Sequence, residues 1–529
     1  MSSALPRVEA ADAPTPRDGL AAHRFGVNVA ANLAYFVLST GLMVWYVPFL
    51  VHHLGVAAYG MVPLANAVVM YAIVVSESLY TAYFRYLAID LNRGDAAAAR
   101  LTFSSAALVT LAACALLLVP FAGFTLLLPY ALDVPPGLDR ATQFLFAGAA
   151  CTMLAGILSG LFGTSSAIAH RFDLRNLARG AALAARVGVV AACFALWPAS
   201  LWHVGAALMV SAVVGLAVDV AVCRHLTPSL SFTPGAAERP RVLRLLGMAG
   251  WSSVNMLGFL VLMHADLLII NLALGPEATG RYGAILLIPA LIHATAEILM
   301  PMLGPLVMAR YAQGDREGIR QLVTGSARLL VIGLALPVGL LCGLGGPLLS
   351  LWLGPDFAGM GLVLALLVGH LAVNLALRPV AYVLTAYDRI RVQALVTLAL
   401  GAAYVVLAAT LAVRCGWGLS GVAAAGALVW TVRNVGFLAG YCAAILGLRW
   451  SDLARPLARG GAGLVGLGLA GHAACALWPP LHLGALAGLG LALAGAYACL
   501  AWSLLLTPAD RALVRSCLAP SSPRERTPC

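Results

Sequence analysis

The sequence of 529 residues contains no lysine, so all 32 of its basic residues are arginine. A chain without lysine cannot build a Walker-type phosphate loop, in which a lysine reaches the phosphates, or a lysine Schiff base. Charge of either sign is also scarce, because only 10% of the residues are charged, against about a quarter in soluble domains. This shortage excludes a soluble enzyme, a disordered chain and a nucleic-acid-binding protein.

The eleven cysteines are scattered singly, and none belongs to a C-x-x-C pair. Most lie in apolar runs, where a free thiol behaves as a small hydrophobic side chain. We therefore expect neither a disulfide framework nor a metal site. Residues 1–25 lack the apolar core and cleavage site of a signal peptide, and we expect them to form a disordered cytoplasmic tail.

Apolar residues are abundant: 62% of the sequence is hydrophobic, and the mean hydropathy is +0.93. A membrane-spanning helix needs about 20 mostly apolar residues. The pattern predicts an all-α polytopic membrane protein with about fourteen transmembrane helices. The predicted spans are 26–50, 60–84, 101–129, 143–167, 178–197, 202–222, 247–273, 283–307, 326–350, 360–386, 392–413, 419–444, 460–478 and 483–506.

The arginines alternate with the predicted spans. If the N-terminus is cytoplasmic, the outer connectors hold only Arg140, Arg281 and Arg414, whereas each inner connector holds two or more arginines. Because cytoplasmic flanks collect positive charge, this alternation predicts that both termini are cytoplasmic.

Three short patterns occur in the same order, and at a nearly constant offset, in each half of the chain. Leu54-Gly55 recurs as Leu274-Gly275, Arg85-Tyr86 with Gly94-Asp95 recurs as Arg310-Tyr311 with Gly314-Asp315, and Phe172-Asp173 recurs as Tyr387-Asp388. Six predicted spans separate the copies, so the two halves insert in the same direction and enclose a central cavity. The predicted organisation is an N-lobe (26–225), a C-lobe (226–445), two further spans (446–507) and a cytoplasmic tail (508–529).

At these residues the chain resembles the multidrug/oligosaccharidyl-lipid/polysaccharide exporter superfamily, and within it the polysaccharide-biosynthesis flippases. The resemblance rests on Asn28 in the first helix, the segment 46–55 with Tyr59-Gly60, and the segment 266–271 with Leu274-Gly275. It implies two lobes, alternating access, and transfer of a polyprenyl-diphosphate-linked oligosaccharide from the inner to the outer leaflet of the bacterial inner membrane. That activity would serve O-antigen, capsule or exopolysaccharide synthesis, beside the glycan polymerase and glycosyltransferases of the same pathway.

Two other functions remain open. A cation-coupled multidrug exporter of the same fold would favour a cavity dominated by acidic and aromatic residues. A membrane-embedded glycan polymerase or glycosyltransferase generally carries a long outer loop or acidic residues in the first outer loop, and the loop 51–58 contains no acid. We expect a transporter rather than an enzyme, with no cofactor other than a coupling ion, H⁺ or Na⁺.

Four arginines are candidates for binding the substrate diphosphate. Arg186, Arg378 and Arg433 lie within predicted spans, and Arg24 lies at the inner mouth of the first. A charge at membrane depth is costly and marks a functional hypothesis, and the planar guanidinium suits phosphate because it can donate two parallel hydrogen bonds. The alternative is that these side chains snorkel to the interface or pair structurally, and that Arg24 is a topological anchor.

The candidates for ion or proton coupling are Glu297, His293, Asp266 and Glu77. Glu297 and His293 are four residues apart and share one helix face, and a histidine beside a carboxylate can exchange protons near neutral pH. A buried structural pair is the alternative.

Two further intramembrane residues have structural interpretations. Asp219 is expected to pair with Arg224 and His225 at the inner end of its helix, and His370 is expected to be a packing residue.

Overall fold

The computed structural model describes residues 16–233, 238–247 and 250–518. Every regular element in these ranges is helical. The helices are α1 (Pro16–Leu54), α2 (Val56–Met70), α3 (Ile73–Asn92), α4 (Ala96–Ala131), α5 (Asp139–Ile168), α6 (Phe172–Leu196), α7 (Leu201–Leu226), α8 (Arg239–Gly247), α9 (Gly250–Ile285), α10 (Leu287–Ala312), α11 (Arg316–Leu353), α12 (Gly361–Gly369), α13 (Leu371–Ala376), α14 (Arg378–Ala386), α15 (Ile390–Ala409), α16 (Gly418–Thr431), α17 (Ala439–Leu446), α18 (Trp450–Leu477), α19 (Leu483–Leu500) and α20 (Pro508–Leu518).

The described helices confirm a multi-pass membrane protein. Twelve helical stretches are long and apolar enough to cross a bilayer, and the bent pair α2–α3 makes a thirteenth. The exact number of fourteen stays a prediction, and the difference lies in Ser253–Glu297, one helical stretch of 45 residues. A helix of that length measures about 68 Å, more than twice the hydrocarbon core of about 30 Å. Gly275 interrupts this stretch with a φ of 87°.

The chain forms two compact units. The first comprises the described residues of 1–45, 75–123 and 147–249, and the second comprises 46–74, 124–146 and the described residues from 250 onward. The second unit therefore contains α2, although α2 belongs to the first half of the sequence. The lobe boundaries expected from the sequence stay a prediction.

The predicted repeat appears as a turn with the same geometry in both halves. Gly94 and Gly314 each adopt a φ of 73°, and the next residue caps the following helix through its carboxylate: Asp95 accepts a hydrogen bond from the Ala98 amide at 2.8 Å, and Asp315 accepts one from the Gly318 amide at 2.8 Å. The match of Arg85 with Arg310 is therefore wrong, because this turn aligns Arg310 with Asp90.

A second turn corrects the third repeat pattern. His170 and Asp388 each have a φ of 52°, and the amides of the residues that follow them donate to the carbonyls of Ser166 and Leu384, both at 2.8 Å. The turn thus aligns Asp388 with His170, and the sequence match of Asp388 with Asp173 is wrong. Side-chain similarity led to the wrong register, since the turn is defined by the left-handed backbone and not by the Asp.

Within the second unit, α2 and the last part of α9 cross at two small residues. A Cβ atom built on Gly60 would lie 2.6 Å from the Gly280 nitrogen, and one built on Gly280 would collide with the Val56 carbonyl. Gly60 and Gly280 have the same separation in sequence as Gly94 and Gly314, so equivalent positions of the two halves contact each other. Small residues permit this approach of two helix backbones.

The glycine-rich stretch 459–472 has a packing role. It lies in α18, which packs on α11, where a Cβ on Gly343 would lie 2.5 Å from the Gly468 carbonyl oxygen. The last described helix, α20, is attached to α11 by Arg328, which donates two hydrogen bonds to Asp510 at 2.8 and 2.7 Å. Burial raises the pKa of Asp510, but hydrogen bonds from Arg328 and Thr507 outweigh burial, so the pKa lies below its usual value.

We predict that Gly60→Ala and Gly280→Ala each destabilise the protein by about 1–3 kcal/mol, because the added methyl group forces the helices apart. Gly333→Ala in α11 is the matched control, since a Cβ there meets no atom within 4 Å. Alanine favours a helix more than glycine does, so this control keeps or slightly gains stability. Thermal unfolding of the purified protein checks the prediction, and equal effects at all three glycines would contradict it.

Candidate functional site

The second unit contains a cavity of about 300 Å³ that is lined by both polar and apolar side chains and formed by α9, α10, the α12–α14 segment, α15 and the α16–α17 segment. Two of these segments are irregular. The α12–α14 segment is interrupted at His370 and Leu377, and α16 continues into α17 through a π-helical segment, Val432–Leu438. Wide helical turns of this kind occur frequently at functional sites. The interruptions place Arg378 and Arg433 among the lining residues of the cavity.

Arg433 is the most buried arginine of this cavity, with only 6% of its surface exposed. Its Nε donates to the Thr397 hydroxyl at 3.0 Å, its Nη1 donates to Asn434 Oδ1 at 2.7 Å, and its guanidinium lies 5.5 Å from the centre of the Trp430 ring. All three partners are neutral. Among the residues that the structure describes, no carboxylate forms an ion pair with Arg433, so its charge remains uncompensated.

Arg378 lines the same cavity and forms an ion pair with Glu297 of α10. The spacing of four residues in α10 predicts that Glu297 pairs with His293 on one helix face. The structure directs Glu297 toward Arg378 and places His293 in the cavity wall instead. The reason lies in the tertiary structure, since the cation that pairs with Glu297 comes from a different helix, α14.

The cavity wall also includes His370 and Asn374, which are not among the site residues expected from the sequence. Asn374 is only 4% exposed, and its Nδ2 contacts His370 Nδ1 at 2.9 Å and the Thr431 hydroxyl at 3.3 Å. His370 was interpreted as a packing residue because it stands alone in an apolar run. Its histidine–asparagine spacing of four residues, which places both on one helix face, was the signal available.

Asp266 lies elsewhere in the second unit, in a separate buried cluster. Its carboxylate is 7% exposed, accepts a hydrogen bond from the Tyr282 hydroxyl, and interacts electrostatically with Tyr71 and Tyr404. No ion pair with Asp266 occurs among the described residues. A buried carboxylate surrounded by hydroxyl groups can hold a proton or a small cation.

The first unit contains a second cavity of about 320 Å³, and its lining includes Glu77, Arg175, Arg179 and Asp219. Arg175 lies 5.5 Å from the centre of the Tyr80 ring. Asp219 accepts a hydrogen bond from Ser159 and interacts electrostatically with both arginines. The expected pairing of Asp219 with Arg224 and His225 is therefore wrong, because the nearest cations come from α6. Opposite charges are balanced in this cavity, unlike in the second unit.

The structure locates only one of the remaining two cationic candidates. Arg186 is half-buried on α6 and is absent from the lining of both cavities. Arg24 belongs to α1, but its side chain lies outside the described residues.

No protein-family model matches the sequence. An individual relative does: the chain is 33% identical over 427 residues to the uncharacterized membrane protein EpsK of Bacillus subtilis (strain 168). The match covers 80% of this chain and 84% of EpsK. The chain belongs to the EpsK family.

Solved structures of other membrane transporters have a fold similar to that of this chain. An inward-facing multidrug resistance MATE family transporter of the MOP superfamily matches with a TM-score of 0.63 and 16% identity, covering 78% of this chain and 94% of that one. The lipid II flippase MurJ, in an inward closed conformation, matches with a TM-score of 0.63 and 10% identity, covering 90% and 98%. This EpsK-family chain thus has the fold of those two transporters, which confirms the all-helical membrane fold expected from the sequence.

We predict that Arg378→Gln changes the free energy of unfolding by less than about 1 kcal/mol, because the pair with Glu297 is partly exposed. Arg328→Gln is the matched control: its partner Asp510 is only 5% exposed, so the loss exceeds about 2 kcal/mol. Thermal unfolding of the purified variants measures both. An Arg378 variant as unstable as the Arg328 variant would show that Arg378 is a structural residue.

Proposed function

We propose that this protein is a flippase that moves a polyprenyl-diphosphate-linked oligosaccharide from the inner to the outer leaflet of the bacterial inner membrane. Arg433 carries this proposal. A buried charge without a counter-ion is costly in a membrane protein, and an anionic ligand supplies the missing counter-charge. The proposal includes cytoplasmic termini and a role in surface polysaccharide synthesis.

The charge distribution around Arg433 supports an anion with several negative oxygens. Arg378 is a second cation of the same cavity and interacts electrostatically with Arg433. His293 is close enough for electrostatic interaction with Arg378, and His370 interacts with His293. Two guanidinium groups present planar sets of donors that match a diphosphate. The Glu297 carboxylate neutralises Arg378 in the absence of ligand, and a diphosphate would replace it as the partner.

The multidrug-exporter alternative has less support in this cavity. No aspartate or glutamate occurs among its described lining residues. An organic cation would meet the uncompensated charge of Arg433 and no carboxylate in the lining, and like-charge contacts oppose binding. The similarity to a multidrug transporter is therefore limited to the fold, whereas the chemistry of the cavity favours an anionic substrate. The names of EpsK and MurJ fit this proposal, since one is a membrane protein of the same family and the other a lipid flippase.

For ion coupling we propose Asp266 in place of the pair His293 and Glu297. Glu297 already serves as the counter-ion of Arg378. Asp266 is buried and has the Tyr282 hydroxyl as its side-chain partner. Uptake of H⁺ or Na⁺ would neutralise its charge. A change of charge in a buried site alters the relative stability of two conformations, which is the requirement for coupling.

We predict that Arg433→Ala lowers glycan export at least tenfold, because charge-assisted hydrogen bonds to the diphosphate are lost. Arg433→Lys keeps the charge without the planar donors, so it retains partial export. Arg281→Ala is the control, since Arg281 pairs with Glu277 on the surface. Export is measured in a deletion strain as surface glycan per unit of membrane-inserted protein.

The same strains test the direction of transport. A lipid-linked sugar that accumulates on the inner leaflet of the Arg433→Ala strain supports the flippase. Wild-type export by Arg433→Ala at an unchanged protein level would refute the assignment of this cavity.

We predict that Asp266→Asn abolishes the response of transport to an imposed H⁺ or Na⁺ gradient in vesicles, because the amide cannot change its charge. Glu297→Gln is the matched comparison and retains the response, although its transport rate changes. The opposite result, a response lost in Glu297→Gln and kept in Asp266→Asn, would assign coupling to the pair His293 and Glu297.

A further inference from the structure

Two amide oxygens of the second-unit cavity have no hydrogen-bond donor. Asn255 Oδ1 and Asn374 Oδ1 are buried atoms without a partner among the described residues, and both residues line the cavity. A buried acceptor left without a donor costs about 1–3 kcal/mol. Such groups require an explanation in a folded protein, and an absent ligand is one.

The orientation of the Asn374 amide follows from its neighbours. The Thr431 hydroxyl donates to the Ala427 carbonyl at 2.7 Å, so its oxygen must accept the second contact, from Asn374 Nδ2 at 3.3 Å. Nδ2 contacts His370 Nδ1 at 2.9 Å with its other hydrogen. A rotated amide would place its oxygen against the acceptor Thr431. Oδ1 is therefore the end of Asn374 that is left for a ligand.

The same contacts assign the hydrogen of His370. Because Nδ1 accepts from Asn374, the ring hydrogen lies on Nε2. The cavity thus combines donors, which are the guanidinium groups of Arg378 and Arg433 and the His370 Nε2–H, with two acceptors, Asn255 and Asn374.

This combination selects a class of ligand. A diphosphate at neutral pH offers acceptors and satisfies the arginines, but it has almost no hydrogen to donate to an amide oxygen. A polyprenyl chain has no polar hydrogens either. A sugar supplies them through its hydroxyl groups or an acetamido N–H.

We infer that the second-unit cavity binds the sugar–phosphate end of the lipid-linked substrate. The two arginines contact the phosphate, and Asn374 and Asn255 accept hydrogen bonds from the first sugar. The inference rests on the proposed function and adds to it that this cavity distinguishes a glycosylated carrier from the bare carrier. A site that hydrogen-bonds a particular group rejects an analogue that lacks it, since its polar atoms then remain unpaired.

The test is equilibrium binding to the purified full-length protein in detergent. The probes are a short-chain polyprenyl diphosphate without a sugar, the same lipid with one glucosyl group, and the same lipid with one N-acetylglucosaminyl group. We expect at least one glycosylated probe to bind about tenfold more tightly than the sugar-free probe. In Asn374→Leu this preference disappears, and an unchanged thermal unfolding transition of the purified variant shows that it is folded.

Two further variants separate a direct contact from a general effect. Asn176→Leu removes another buried asparagine, which is hydrogen-bonded to Asn32 in the first unit, and it should keep the sugar preference. Thr431→Val removes the hydroxyl that orients Asn374 and should reduce the preference without abolishing it. Thr431 is a positioning residue in this scheme.

The outcomes distinguish the inference from the proposed function. Equal affinity of the wild type for all three probes would overturn the inference, because the two amide oxygens would then be satisfied by water, and the flippase proposal would stand. A preference that persists in Asn374→Leu would also overturn it. No binding of any probe, or wild-type affinity in Arg433→Ala, would overturn the proposed function itself.

Discussion

The cost of burying the Arg433 charge is the constraint on which the described site depends. Its guanidinium is held by a hydroxyl, an amide and the face of an indole ring, and none of these removes the positive charge. One of these partners, Asn434, is the next residue of the chain and belongs to the same π-helical segment as Arg433. Neutral polar partners stabilise the buried guanidinium by hydrogen bonds but leave its charge without a counter-ion. An anion can therefore bind there reversibly.

Irregular backbone occurs where the cavity needs polar side chains. The α12–α14 segment is interrupted beside His370 and Arg378, and α16 widens before Arg433. Non-helical backbone at membrane depth is tolerated where it is buried in protein or lines a cavity. By contrast, the close helix contacts, such as those at Gly60 and Gly343, involve small residues that bring two backbones together. The fold thus separates rigid packing surfaces from the segments that carry polar groups.

The helices and the class of protein were predictable because hydropathy is a local property. The predicted spans agree with the described helices within several residues for most of the chain, as for 139–168 and 390–414. The repeat was recognisable, but its register was wrong at Arg310 and Asp388, since sequence similarity weighs side chains and the turns are defined by left-handed backbone. His370 was missed because it was considered alone, although Asn374 follows it one helical turn later and is its hydrogen-bond partner.

The sequence by itself determined that the chain crosses the membrane many times, that arginine is its only strong cation, and which arginines and carboxylates fall within the predicted spans. These are consequences of composition and spacing along one helix. Only the tertiary structure decided that Glu297 pairs with Arg378, that Asp219 faces the arginines of α6, and that Arg433 has no carboxylate partner among the described residues. Whether a buried charge is neutralised depends on distances between helices far apart in sequence, and electrostatic energy falls with that distance.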